Sequence, residues 1–427
     1  MRREELPNSG ATDDRGVLRF LTCGSVDDGK STLIGRLLYD TKALLSDTLA
    51  TLEKHAQRRG LSALDLSLLT DGLVAEREQG ITIDVAYRYF ATPNRKFIIA
   101  DSPGHVQYTR NMVTAASTAD AAVLLVDARK GIIAQTRRHA TIAGLLGVRH
   151  LIVAVNKMDL VDYSRAVFDS IASDFRVWLE QHPSLHVRTD YIPISALDGA
   201  NVVERDARLE WYSGLTLIEL LERAPAYEAD ARAPLRLPVQ WICRPSQSDF
   251  RGCAGRIESG TLTLGDTIVV LPSGRTSRVA SIRVGERELD HAVAGESVLV
   301  VLEDEIDVSR GDLIALADDG APAPRATFDA TVCWLGPREL EPRREYLLRQ
   351  GTRETRVRIR QLNAHLDIQT LAWVGDREPL APNGIAQLSL STQHPIVADP
   401  YQTIRATGSF ILIDPTTFDT VAAGMIS

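Results

Sequence analysis

A chain of 427 residues has room for about three domains, and 44% hydrophobic with 24% charged residues is an ordinary globular composition. The formal net charge of −8 argues against a broad basic surface for nucleic acid, and no apolar run approaches the roughly 18 residues of a membrane-spanning helix. The polar start MRREELPNSGATDDRG has no secretion-signal core, and four cysteines (Cys23, Cys243, Cys253, Cys333) without a CxxC pair read as reduced thiols, so the expected compartment is the cytoplasm, with neither membrane nor nucleic acid as partner.

Residues 1–16 read as a flexible tail. The apolar run VLRFLTC then feeds GSVDDGKST (24–32), a Gly-x4-Gly-Lys-Ser pattern with Gly24, Gly29, Lys30 and Ser31 at the fixed places. Such a loop turns backbone N–H groups inward around phosphate, and the following helix N-terminus adds partial positive charge. Lys30 is expected to reach the β- and γ-phosphates and the Ser31 hydroxyl to ligate Mg²⁺. The whole stretch is the candidate cradle: Gly24, Ser25, Val26, Asp27, Asp28, Gly29, Lys30, Ser31 and Thr32. Asp27 and Asp28 are anions inside an anion site, tolerable only if they point away and leave binding to the backbone.

In REQGITID (77–84), Thr82 is the candidate for a threonine that Mg²⁺ and γ-phosphate would order in a switch loop; Arg77 reads as a solvated helix-end residue. TIDVAYRYF (82–90) alternates strictly, as an antiparallel edge strand does. KFIIAD (96–101) is an unbroken apolar run ending in DSPGH (101–105). A carboxylate at the carboxyl end of a parallel strand sits in the ligand crevice. Asp101 would hold Mg²⁺ through water, the Gly104 N–H would bond the γ-phosphate, Ser102 and Pro103 would complete the turn, and His105 would orient an attacking water.

AAVLLVD (121–127), HLIVAVN (150–156) and YIPIS (191–195) are further buried-strand runs, and QYTRNMVTAAST, QTRRHATIAGLLG and SRAVFDSIASDFRVWLEQH between them have helical periodicity. This alternation predicts an α/β phosphate-loop domain over 17–228 with a mostly parallel, doubly wound sheet. NKMD (156–159) closes one strand. Asp159 offers two acceptors to guanine N1–H and its 2-amino group, whereas adenine would leave the carboxylate unpaired. Asn156 would serve the O6/N7 side and fix the loop, the Lys157 stem would lie over the base, and Met158 shares the turn. Ser195, Ala196 and Leu197 (SAL) would bring backbone N–H groups near O6.

ERAPAYEADARAPLRLP (222–238) reads as a linker. Short strands punctuated by glycine turns then predict one small closed β-barrel over 234–320, a break at DDGAPAPRA (318–326), and a second barrel over 326–427. All six lysines (30, 42, 54, 96, 130, 157) precede residue 158, so no second phosphate loop follows, and the nine histidines are scattered without an HxGH pair for adenylyl transfer.

The order GSVDDGKST, GITID, DSPGH, NKMD, SAL resembles the translation-factor class of GTPases, typified by elongation factor Tu, in which a GTP-binding domain precedes two β-barrels. Elongation factors usually carry His where Asp28 stands. GSVDDGKSTLIGRLLYD, AEREQGITIDVAYRYF, GHVQYTRNMVTAAS, DARKGIIAQTRRH, VQWICRPSQSDFRGCAG and the closing GSFILID…TVAAGMI are instead similar to the large GTP-binding subunit of bacterial sulfate adenylyltransferases, also called ATP sulfurylases. Val106 departs from the Glu usual in that family. The resemblance implies GTP and Mg²⁺ as ligands and GTP hydrolysis that drives ATP and sulfate to adenylylsulfate and pyrophosphate, the first step of sulfate assimilation toward cysteine. It also implies a heterodimer in which a separate small catalytic subunit performs the adenylyl transfer; some such relatives carry a fused adenylylsulfate kinase at the C-terminus, whose phosphate loop this sequence, without lysine after 157, does not contain. The alternative, an elongation factor delivering charged tRNA, is opposed by Asp28, the acidic balance and the barrel sequences.

Overall fold

The computed structural model describes residues 16–43, 66, 85–104, 109–226, 230–244, 250–367, 370, 372–375 and 379–427. The chain divides into two compact units, 1–227 and 228–427.

The first unit is built on six strands: β1 (Val17–Cys23), β2 (Ala86–Ala91), β3 (Lys96–Asp101), β4 (Ala121–Asp127), β5 (His150–Asn156) and β6 (Arg188–Pro193). They lie in the order β2-β3-β1-β4-β5-β6. β1, β3, β4, β5 and β6 run parallel, and β2 is the antiparallel edge strand that its alternation predicts. Helices cover the parallel strands on both faces, so β4 and β5 are buried at every residue and are apolar except at His150 and at their carboxyl tips, Asp127 and Asn156. β6 begins three residues before the apolar run YIPIS and leaves the ladder at Pro193. As the other edge strand, its first half tolerates the polar RTD, which hides it from a reading based on apolar runs.

α1 (Lys30–Asp40) buries Leu33, Ile34, Leu37 and Leu38, one apolar stripe of a helix. α2 (Thr109–Thr118) and α3 (Ala134–Leu145) follow β3 and β4. α4 (Arg165–Glu180) starts where the Ser164 hydroxyl accepts the Val167 N–H, and buries Phe168, Ile171, Ala172, Phe175 and Trp178. α5 (Leu217–Arg223) opens with a reciprocal cap: Thr216 Oγ1 accepts the Glu219 N–H, and Glu219 Oε2 accepts the Thr216 N–H. It ends on the buried Arg95 guanidinium, which donates to the carbonyls of Leu221, Glu222 and Ala224. A helix leaves its last carbonyls unpaired, and this side chain supplies the donors.

The second unit holds two closed antiparallel barrels. In the first, the segment 237–243 pairs with Leu313–Leu316 at one end and with Gly252–Arg256 at the other, so it closes the ring that continues through Thr267–Leu271, Arg275–Val284 and Ser297–Leu302. In the second, Glu345–Gln350 pairs with both Ser409–Ile413 and Arg353–Leu366, completing a ring with Thr420–Ile426, Arg325–Trp334 and Ile385–Ile396. Along Arg353–Leu366 the inward Thr355, Val357 and Ile359 alternate with outward Arg356, Arg358 and Arg360. Arg236, from the approach to the first barrel, is buried against Asp399 of the second, with Nε to Oδ2 at 2.9 Å and Nη2 to Oδ1 at 3.0 Å. Thr407 Oγ1 donates to the same carboxylate at 2.6 Å.

Three of the four cysteines are buried and Cys243 is half-buried; all four are free thiols. Burial pushes the thiols of Cys23 and Cys333 up to about 12, so neither is a reactive thiolate at neutral pH. No helix among the described residues is long and apolar enough to cross a membrane.

Candidate functional site

Every parallel strand points its carboxyl end to the same edge of the sheet, and β1 lies where the strand order reverses, between β3 and β4. A ligand crevice opens at such a point. In register, Thr22 stands beside Asp101, Cys23 beside Leu124, and Asp127 beside Asn156. The predicted motifs therefore meet although more than 130 residues separate Gly24 from Asp159.

The phosphate loop turns out of β1 at Gly24 and enters α1 through Gly29, which is left-handed at φ 91°. A Cβ on Gly29 would sit 2.5 Å from Asn156 Nδ2, so both conformation and space require glycine. Lys30 is buried, and its Nζ donates to the carbonyls of Gly24 at 3.2 Å and Ser25 at 2.8 Å. Burial lowers its pKa, against the pull of Asp101 and Asp28. An ammonium desolvated in this way gains from an incoming phosphate charge. The first-turn amides of Lys30, Ser31 and Thr32 have no intrahelical acceptor and carry the positive end of the helix dipole.

The two loop aspartates part company. Asp27 is exposed, whereas Asp28 is buried and its Oδ2 accepts the Ser25 N–H at 2.5 Å. Burial raises the Asp28 pKa, opposed by that Ser25 bond and by Lys30. Asp28 is thus an internal acceptor that ties the loop to itself. The Gly24 N–H is likewise committed, to His139 Nδ1 at 3.1 Å.

At the β3 tip, Asp101 is buried with its Oδ1 3.4 Å from the Thr22 hydroxyl, and Ser102 Oγ donates to the Thr22 carbonyl at 2.7 Å. Pro103 and Gly104 are buried. Gly104 closes over the phosphate loop so tightly that a Cβ there would lie 2.5 Å from Lys30 Nζ and 3.0 Å from the Val26 nitrogen. His105, Thr82, Arg77 and Val106 lie outside the described residues. Among the described residues no cluster of three His, Cys, Asp or Glu side chains could hold a metal alone. A hydroxyl at Ser31 and a carboxylate at Asp101 are the hard oxygen donors that suit Mg²⁺ when phosphate oxygens supply further ligands.

The NKMD and SAL loops are braced against the phosphate loop. Asn156 Nδ2 donates to the Asp28 carbonyl at 2.8 Å, and Asn156 Oδ1 accepts the Ala196 N–H at 2.9 Å. Its oxygen is therefore spent on joining three loops, which leaves only one amide N–H for a base. Lys157, left-handed at φ 64°, donates from Nζ to the Asp27 carbonyl and lies 3.0 Å from Asp127 Oδ2. Met158 is buried, with its N–H on the Ile194 carbonyl. Asp159 keeps one oxygen on the Ser195 hydroxyl at 2.7 Å, and that hydroxyl accepts the Asp198 N–H at 3.2 Å. Leu197 is exposed.

Four supporting residues escape the sequence reading. Asp127 at the β4 tip is buried and takes Arg129 (Nε at 3.0 Å, Nη2 at 2.6 Å) together with Lys157. Burial alone would raise its pKa; the bonds from Arg129 and Lys157 hold it below the carboxylate range instead. Arg36 of α1 donates to the carbonyls of Ala196 and Leu197. His139 and Gln135 of α3 stand behind the Gly24 and Gly104 turns. Their only signal was the run DARKGIIAQTRRH, which carries resemblance and no local pattern.

Compared with known proteins, residues 15–229 match the family Elongation factor Tu GTP binding domain. Residues 253–315 match Elongation factor Tu domain 2, and residues 327–427 match GTP-eEF1A C-terminal domain-like. "Sulfate adenylyltransferase subunit 1" of Aeromonas salmonicida is 50% identical over 97% of this chain and 88% of its own length. The protein of the same name in Aeromonas hydrophila is 51% identical over 97% of this chain and 87% of its own. A solved structure of Sup35 complexed with GDP aligns over 99% of this chain and 97% of that one at 23% identity, with a TM-score of 0.43.

Proposed function

Because this chain belongs to the sulfate adenylyltransferase subunit 1 family, within the elongation factor Tu class of GTPases, we propose that it is the GTPase subunit whose hydrolysis drives ATP and sulfate to adenylylsulfate and pyrophosphate. The observation that carries the reading is the pairing of 50% identity over 97% of the chain with the joining of the NKMD and SAL loops at the sheet edge. An anhydride between phosphate and sulfate is far richer in free energy than its precursors, so its synthesis needs a coupled exergonic step. Residues 17–228 would supply that step, and the barrels at 234–320 and 326–427 would transmit it.

In this reading Asp159 accepts guanine N1–H and the 2-amino group, with Ser195 fixing the carboxylate. Lys30 and the first-turn amides of α1 neutralise the phosphates. The Gly104 N–H meets the γ-phosphate, and His105 orients the attacking water, whose oxygen displaces GDP from the γ-phosphorus to leave GDP and inorganic phosphate. Ser31, Thr82 and Asp101 would hold Mg²⁺, which when bound neutralises developing phosphate charge. A separate small catalytic subunit would bind ATP and sulfate and carry out adenylyl transfer in the cytoplasm, as the first step of sulfate assimilation toward cysteine.

The test is Lys30→Ala in the reconstituted two-subunit enzyme. Sulfate-dependent pyrophosphate release in the presence of GTP should fall to the level seen without GTP. Release that stays at the wild-type rate would refute the coupling.

A further inference from the structure

We propose that Gln135 is a positioning residue that couples the Gly104 turn to the phosphate loop, its side-chain amide bonding either the Gly104 carbonyl or the His139 imidazole and never both. The inference rests on the guanine-nucleotide reading above.

The argument is one of proton count. Gln135 and His139 stand one turn apart on α3. The Gly24 N–H can only donate, so His139 Nδ1, 3.1 Å away, accepts. His139 is buried, which pushes its pKa down to about 3, with Lys30 and Arg138 adding to the effect. The ring is therefore neutral, and its one proton sits on Nε2. That Nε2–H lies 2.8 Å from the Gln135 amide atom that is also 3.2 Å from the Gly104 carbonyl oxygen.

If the shared atom is the amide nitrogen, it donates to Gly104 and faces the His139 proton donor to donor. If the amide turns over, its oxygen accepts from His139 and faces the Gly104 carbonyl acceptor to acceptor. Moving the ring proton to Nδ1 only transfers the conflict to the Gly24 N–H. Three links exist on the line Gly24–His139–Gln135–Gly104, and two can be made at once.

The conflict disappears when Gly104 moves. A turn of Gly104 that brings its N–H toward a γ-phosphate draws its carbonyl off Gln135. The amide then turns over, and the line from Gly24 through His139 to Gln135 becomes fully paired. A diphosphate exerts no such pull, so Gln135 holds Gly104 back and His139 stays half-satisfied. The residue thus sets how strongly the site distinguishes the triphosphate from the diphosphate, although neither Gln135 nor His139 touches the nucleotide itself.

The experiment measures affinities of the full chain for GDP and for a non-hydrolysable GTP analogue, by displacement of a fluorescent guanine nucleotide. Gln135→Glu has the same shape and only acceptors, so it keeps the His139 bond and repels the Gly104 carbonyl. The ratio of triphosphate to diphosphate affinity should rise about fivefold, the worth of one net hydrogen bond. Gln135→Met removes the Gly104 bond of the diphosphate state and the His139 bond of the triphosphate state alike, so it should leave the ratio close to that of wild type. A purely structural role for Gln135 would shift both affinities by one common factor, and that result in Gln135→Glu would overturn the proposal. A wild-type chain that binds neither nucleotide would instead overturn the guanine reading itself, and this inference with it.

Discussion

Replacing Asp127 by Asn tests whether the base-recognition loop is held by a charge the nucleotide never touches. The Asp127 side chain is fully buried and balances two cations, Lys157 Nζ at 3.0 Å and Arg129 Nη2 at 2.6 Å. Arg129 is half exposed and can turn into water when its partner is lost. Lys157 is only 22% exposed and stays tethered by the Asp27 carbonyl, so it must keep its position without a counter-charge or give up the contact with the loop. Losing one hydrogen bond to a charged group costs about 1.5–3 kcal/mol, which corresponds to a loss of roughly 10- to 150-fold in nucleotide affinity. Because Lys157 lies on the base side of the pocket, GDP and GTP should weaken by the same factor. The assay is the dissociation rate and affinity of both nucleotides in a cycle of D127N, K157M and the double variant. If Asp127 acts through Lys157, D127N changes little once Lys157 is Met. Losses that add within about 0.5 kcal/mol would refute the reasoning, as would a different factor for GDP and GTP.

Three further outcomes follow from the same geometry. Gly29→Ala places a Cβ in a left-handed residue and against Asn156 Nδ2; with about 1–3 kcal/mol of backbone strain and two braces displaced, GDP affinity should fall at least tenfold in a titration, while the barrels unfold unchanged. His139 should make the fold acid-sensitive. Its folded pKa is lowered to about 3 from an ordinary value near 6.5, so the unfolded chain binds the extra proton, and stability is full above about pH 6.5 and is lost as pH falls toward 3. Denaturant unfolding of wild type minus His139→Gln should show this slope, at most about 1.4 kcal/mol per pH unit, and parallel curves would exclude it. Asp399→Asn leaves the buried Arg236 guanidinium without its counter-charge, and thermal or urea unfolding should report a loss of about 3–5 kcal/mol, with Arg236→Met/Asp399→Leu less destabilised than the single variant.

The elements that place the site were legible because each strand tip is also a local pattern. An apolar run ends in Gly24, Asp101 or Asn156, broken in the first by the exposed Arg19, and the covered parallel sheet that produces such runs brings their ends together. What remained illegible depends on reach across the fold. Asp127 looks like any strand-end acid until β4 and β5 pair and set it beside Asn156, which brings Lys157 within 3.0 Å. His139 looks like an ordinary residue of an amphipathic helix, and nothing near it in sequence announces the Gly24 N–H more than a hundred residues earlier. Asp28 reads as an anion to be kept away from phosphate. The fold instead buries it and uses its charge on the Ser25 amide, a local bond that spacing alone does not distinguish from a solvent-facing turn.

These supports divide the pocket's energetics in two. On the base side, Asn156 and Lys157 are anchored to carbonyls of Asp28 and Asp27, so closing the guanine loops also fixes the backbone that receives the phosphates. That coupling is blind to the number of phosphates, because every partner in it is present with either nucleotide. On the other side, Gly104, Gln135 and His139 reach the loop at Gly24, and there one link is always left unmade while the Gly104 carbonyl faces inward. On the proposed reading, guanine selectivity and the sensing of the third phosphate enter one loop from opposite ends. A site built so can grip its nucleotide throughout a cycle and still change state on loss of the γ-phosphate.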